Sequence, residues 1–318
     1  MKKVITELTY IDIDELLYDV INVKGKLFKK FFGCSNNSFY NTYIFRGQPS
    51  INYKLIPCAL REDKMGDVCE LSGYISPVHG IQTELQQIEC EEGILKKFYH
   101  RCDENGLKIP LVPRWRYHNL QSETVPIEDN NWIPNDLFEV AGLAQHYGLP
   151  TRLLDWSFNF FVALYFALNG AKIEDEYCSV WAYNYDNFRE YYNNQSYKLV
   201  VVIPEYSQNP NLKAQRGVFT LWQKYHHYFM SEHCEELKNK PVDRRSLDEL
   251  FESKIRKDDT FNYSTMFYKI NIPIKYSQDI YKVLSSMGYN AASLFPGYGG
   301  VTKLMKEDAS YIHSYITE

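Results

Sequence analysis

The sequence predicts an α+β fold of mixed, mostly antiparallel central sheets with packed helices. Three observations lead there. Short apolar and β-branched runs at 42–48, 179–185, 198–203, 218–222 and 266–272 read as strands, the run at 198–203 most clearly. Residues 158–168 are apolar almost all round, the composition of a buried helix. Strands and helices do not alternate regularly, which disfavours a doubly wound parallel sheet.

The elements follow in chain order. Residues 12–31 read as helical, with Leu16, Leu17, Val20, Ile21, Leu27 and Phe31 near helical spacing and Gly25 weakening the middle. Residues 1–40 therefore form an N-terminal helical segment. The stretch 54–61 is short, apolar and broken by Pro57. Gly66, Gly73, Pro77 and Gly80 make 64–82 a lid-like loop. Thr83 caps a helix to Arg101 that turns Leu85, Ile88, Leu95 and Phe98 inward. Residues 110–134 show no period. A helix starts at Pro134-Asn135-Asp136, and Gly148-Leu149-Pro150 ends it. Polar residues near 232–260 read as an exposed insertion. Residues 277–287 form a helix, 290–294 a short strand, and 301–316 the closing helix.

The chain of 318 residues is 45% apolar and 24% charged, a globular composition long enough for one large core or two smaller ones. Its net charge of −5, without a long basic block, argues against a general nucleic-acid coat and leaves local grooves open. The cysteines (Cys34, Cys58, Cys69, Cys90, Cys102, Cys178, Cys234) are odd in number and form no CxxC, which fits reduced thiols in a cytoplasmic protein. No stretch approaches the ~20 apolar residues of a membrane span, so no membrane partner is expected. His226, His227, His233 and Cys234, with Glu232, match no standard ligand set, and no metal is expected. There is no G-x-S-x-G, P-loop or Rossmann fingerprint.

Three stretches carry the chemistry: FRGQ (45–48), LAQHYGLPTRLLDWSFNFFVALYFAL (143–168) and AQRGVF (214–219). Together they resemble the FRG-domain family, named for Phe-Arg-Gly. The specific part is the order Gln145-His146-Tyr147-Gly148, Pro150-Thr151-Arg152, Asp155-Trp156, Ala163 to Ala167. The resemblance covers roughly residues 40–300. It makes 41–318 an FRG domain with a polar insertion near 232–260.

More remotely, the same stretches resemble ADP-ribosyltransferases, which implies an ADP-ribosyltransferase-like core and NAD as substrate. In that likeness Arg46 holds the NAD pyrophosphate, a task suited to a planar donor fork. Gly47 lets the ligand approach the backbone. Ser157 orients the nicotinamide ribose, Tyr147 stacks on a nicotinamide or a base, and Thr151 joins them in the binding set. Asp155 and Gln215 are the catalytic candidates. The third motif departs from the transferase pattern: the usual glutamate falls at Gly217. Gln215 can bind the ribose but stabilises charge only weakly, so Asp155 or an acidic residue from elsewhere takes over the charge that stabilises an oxocarbenium-like state.

Structural alternatives stand beside these roles. Arg46 can pair with a carboxylate, Arg152 and Asp155 can pair with each other, and Asp155 or Ser157 can cap the helix that follows. The resemblance implies a bacterial toxin or anti-phage effector modifying nucleic acid or protein, with an antitoxin or regulatory protein as partner. A non-catalytic nucleotide- or nucleic-acid-binding module is the alternative. A hydrolase using Asp155 with His146 is a third.

Overall fold

The apolar helix at 158–168 can hide its whole circumference only by packing on a sheet and under other helices, and the fold does this. The computed structural model describes residues 4–33, 43–73, 80–116, 131–172, 174–185, 198–225, 237–255 and 266–316. Its strands are β1 (Ile5–Thr9), β2 (Tyr43–Gln48), β3 (Asn131–Trp132), β4 (Leu154–Ser157), β5 (Tyr177–Asn184), β6 (Lys198–Val202), β7 (Gly217–Tyr225) and β8 (Phe267–Pro273). Seven of them follow one another in the order β1-β8-β5-β2-β4-β7-β3, and β6 pairs with β7 besides. β1 runs parallel to β8, while the other pairings are antiparallel. The fold is α+β with a mixed, mostly antiparallel sheet, as the sequence predicts.

The helices are α1 (Ile13–Ile21), α2 (Lys26–Phe32), α3 (Met65–Ser72), α4 (Glu84–Glu104), α5 (Pro113–Arg116), α6 (Phe138–His146), α7 (Phe160–Leu168), α8 (Pro210–Ala214), α9 (Leu247–Ile255), α10 (Ser277–Ser286), α11 (Ala291–Leu294) and α12 (Tyr298–Ile316). Side chains alternate across each strand, and the alternation sorts the core. Tyr43, Phe45, Val180 and Ala182 pack with α7 and with residues of α1, α2 and α10 on one side. Ile44, Trp181 and Tyr183 pack with Phe251 of α9 on the other. A further cluster joins Phe219 and Leu221 of β7 to α4 and α6.

Four local expectations need correction. The 64–82 segment holds a helix, α3, because Gly73 (φ 73°) serves as its left-handed C-terminal cap rather than as a loop residue. Residues 290–294 form helix α11, not a strand: Asn290 and Ser293 bond each other's backbone reciprocally in a capping box. The N-terminal segment contributes strand β1 as well as its two helices. The polar 232–260 region contains α9, whose Leu247, Leu250 and Phe251 are buried at helical spacing. Residues 232–236 and 256–260 lie outside the described residues, as do His226, His227, His233, Cys34 and Cys234.

Gly47 has a packing reason for being glycine. A Cβ there would stand 1.9 Å from the Ala163 carbonyl oxygen and 2.5 Å from the Ala167 amide nitrogen, both in the backbone of α7. The strand and the helix meet at backbone distance, and no side chain can give way. Gly47→Ala should push α7 off β2 and cost about 1–3 kcal/mol or more of stability. Denaturant unfolding of the variant beside the wild type checks this, and equal midpoints would contradict it.

Candidate functional site

Three neighbouring strands bring the motifs together. Phe45 of β2 pairs with Ser157 of β4, and Ser157 pairs with Gly217 of β7, in one row across the sheet. A cavity of about 290 Å³ opens beside this row. Arg46, Gln145, His146, Asp155, Ser157 and Gln215 line it together with Gly47, Gly217 and an apolar wall that includes Phe166, Phe219 and Phe295. Its size is at the lower end for ligand pockets.

Arg46 reaches the cavity because the ladder between β2 and β4 consists of a single paired position. Just beyond it, Arg46 Nη1 donates to the Asp155 main-chain oxygen at 2.8 Å and lies 2.6 Å from Asp155 Oδ1. The guanidinium thus replaces a missing rung and binds a carboxylate at once. Its side chain is 10% exposed, and its Nε is buried without a hydrogen-bond partner.

Asp155 is surrounded by protein on most sides, yet 63% of its side chain is open, because its free side faces the cavity. Desolvation pushes its carboxyl up. The Arg46 charge and hydrogen bond outweigh this and hold the carboxyl below its usual value. Asp155 is therefore ionised at neutral pH. It is suited to stabilising a positive charge and unsuited to general acid work.

The remaining candidates divide. Gln145 Nε2 donates to Asp155 Oδ1 at 3.3 Å, and Thr151 Oγ1 donates to Gln145 Oε1. Thr151 itself is buried and Tyr147 is 70% exposed, and neither is among the residues lining the cavity. Ser157 Oγ donates to the Gln215 carbonyl at 2.7 Å and accepts from Asn159 N, so its hydroxyl is engaged by backbone. Gln215 ends α8 and donates through Nε2 to Leu294 O at 3.1 Å, tying α8 to α11. A Cβ at Gly217 would lie 2.3 Å from Leu212 Cδ1, so a glutamate there would first displace Leu212. His146 Nε2 lies 3.3 Å from Asn211 Nδ2, and burial pushes the imidazole's pKa down. Among the described contacts no hydrogen bond joins His146 to Asp155, whose side-chain partners are Arg46 and Gln145.

The alternative pairing of Arg152 with Asp155 is overturned. Arg152 is buried against α4, where its Nη1 meets Glu84 Oε1 at 2.5 Å and its Nε meets Glu91 Oε2 at 3.0 Å. Glu91 also accepts from Gln87 Nε2 at 2.7 Å and Trp132 Nε1 at 2.6 Å, and Glu84 accepts from Asp243 N at 3.1 Å. Nor does Asp155 or Ser157 cap α7: Asn159 does, accepting from Phe161 N at 2.9 Å. Neither glutamate is among the candidates that the motifs point to. The signal was available, since Glu84, Ile88, Glu91 and Leu95 share one helical stripe, and a carboxylate on an inward stripe demands a buried cation.

Compared with known families, residues 41–176 match the FRG domain model. The match spans β2 through α7 and so contains Arg46, Gln145, Thr151, Arg152 and Asp155, while Gln215 and Gly217 lie beyond it. No curated protein and no solved structure matches the chain. Among the described residues no cluster of His, Cys, Asp and Glu could hold a metal ion, and no helix is long and apolar enough to cross a membrane.

Two outcomes follow from these contacts. Arg152→Ala leaves two carboxylates buried without their cation and should cost about 3–5 kcal/mol, read by chemical denaturation. Asp155 has a folded-state pKa below its unfolded one, so its stabilisation is present above the ordinary ~3.9 and lost as pH falls through the folded value. Melting temperatures of wild type and Asp155→Asn should differ near neutrality and converge in stronger acid. A constant difference across that range would contradict the ion pair.

Proposed function

We propose, for a chain that carries an FRG domain across residues 41–176, an ADP-ribosyltransferase-like use of NAD in which the cavity receives the nicotinamide-ribose end. One observation carries the reading: a carboxylate held ionised on β4, two residues from the row where β2, β4 and β7 meet, with its open side toward the cavity. In the transfer, the bond from ribose C1′ to nicotinamide breaks with its electron pair leaving on nicotinamide. The acceptor's nucleophile forms the new bond and gives up a proton to solvent. Positive charge develops on the ribose between these events, and Asp155 stabilises it in place of the glutamate that Gly217 lacks.

Arg46 serves this role differently from a free phosphate grip. Its Nη1 is engaged by Asp155, and its Nε is closed off from solvent. A bidentate hold on a pyrophosphate would require Asp155 to let go. Arg46 is therefore first the keeper of the carboxylate, and a phosphate contact falls to its outer edge. The acceptor is nucleic acid or protein, and the setting a bacterial toxin or anti-phage effector held in check by an antitoxin or regulatory protein.

The engagement of Arg46 by Asp155 also favours a second reading, a binding module that holds a nucleotide or nucleic-acid end without chemistry. Nicotinamide release from NAD separates the two. Asp155→Asn should lower transfer on the order of a hundredfold or more while NAD still binds. Calorimetric titration and a melting curve on the same variant exclude simple unfolding. Full turnover in a stable Asp155→Asn protein would leave the carboxylate without a chemical role and favour the binding module.

A further inference from the structure

The Asp155 carboxylate is held by a directed chain of hydrogen bonds that starts away from the cavity. Leu153 N–H donates to Thr151 Oγ1 at 3.2 Å. The hydroxyl has one proton, and Thr151 gives it to Gln145 Oε1. With that oxygen occupied, the Gln145 carboxamide turns Nε2 to Asp155 Oδ1 at 3.3 Å. Arg46 Nη1 meets the same Oδ1 at 2.6 Å. Both donors from other residues converge on Oδ1, and Oδ2 has no partner from another described residue.

We propose that Thr151 and Gln145 are positioning residues that fix the rotation of the Asp155 carboxylate, so that Oδ1 is held by the protein and Oδ2 is presented to the ligand. This rests on the NAD reading and deepens it, because it names the oxygen that faces the ribose. The direction of the chain is set by chemistry. An ionised carboxylate only accepts, so the Gln145 amide faces Asp155 with Nε2, and its Oε1 is left to accept the Thr151 hydroxyl. A glutamine without that donor is free to flip and bring its own oxygen against Oδ1, two acceptors face to face. Thr151 acts through Gln145 without reaching the ligand, consistent with its 2% exposure. The charged groups bearing on Asp155 are Arg46 from β2 and Arg61 from the turn after the 3-10 segment Cys58–Leu60. His146 of α6 shares the cavity.

The test uses three variants of the whole chain. Thr151→Val keeps the shape and removes the hydroxyl, Thr151→Ser keeps the hydroxyl, and Gln145→Leu removes the amide. The Asp155 carboxyl is titrated by carbon-detected NMR on aspartate-labelled protein, its signal identified by loss in Asp155→Asn. In Thr151→Val and Gln145→Leu the titration midpoint should move up, since a donor to the charged form is lost. In Thr151→Ser it should stay at the wild-type position. NAD turnover should fall about tenfold in the first two, in kcat rather than KM, and recover in Thr151→Ser. A purely structural Thr151 predicts a lower melting temperature with an unmoved carboxyl. Unmoved midpoints in both Thr151→Val and Gln145→Leu overturn the positioning chain even if NAD is consumed. Midpoints that shift as expected in a protein that neither binds nor consumes NAD uphold the chain and overturn the NAD reading.

Discussion

The guanidinium of Arg152 is the constraint on which the rest of the site depends. It is buried, and its charge is met by two buried carboxylates from α4 seven residues apart. Burial alone would push its pKa down, but Glu91 and Glu84 reverse the effect and raise it, so it stays charged. Ions out of water are tolerated only when their remaining donors and acceptors are also met. Here Gln87, Trp132 and the Asp243 amide meet the glutamates, and Arg244, half-buried nearby, adds a second positive charge to the field. The network joins α4, β3 and the chain around 243 to one short turn. Because Arg152 cannot move, Thr151 on one side and β4 on the other are fixed as well.

A second guanidinium does related work. Where the β2–β4 ladder stops after one pair, Arg46 donates to the next main-chain oxygen and closes the gap. The same nitrogen holds Asp155. The sheet's continuity and the carboxylate's ionisation thus rest on one side chain. This explains why a Phe-Arg-Gly sequence stands at the strand end: Phe45 enters the core, Arg46 bridges to β4, and Gly47 lets α7 lie directly on the strand.

Seen chemically, the cavity is an acceptor-rich floor under an apolar wall. The ionised Asp155, the Gln145 carboxamide and the Gln215 side chain supply the polar contacts, while Phe166, Phe219 and Phe295 supply the wall. Leu212, packed against Gly217, fills the space that a side chain at that position would need.

Local sequence pattern was enough to place part of the element list, though not α3, α11, β1 or α9. Apolar periodicity located α4 and α7, the Thr83 capping box set the start of α4, and the β-rich runs located β2, β5, β6, β7 and β8. These are local properties, decided by side-chain spacing and by backbone groups within a few residues. The sequence also singled out Arg46, Asp155 and Gln215, because motif order is legible before any folding. Tertiary structure decided which charges meet. Arg152 and Asp155 are three residues apart and of opposite sign, yet each is paired across the fold, Arg152 with residues 61 and 68 positions away and Asp155 with one 109 away. On a strand or turn, neighbouring side chains point to different sides, so closeness in sequence does not bring their charges together. Only the packing of α4 under the turn and of β2 beside β4 could tell which carboxylate is locked in the interior and which is left facing the cavity.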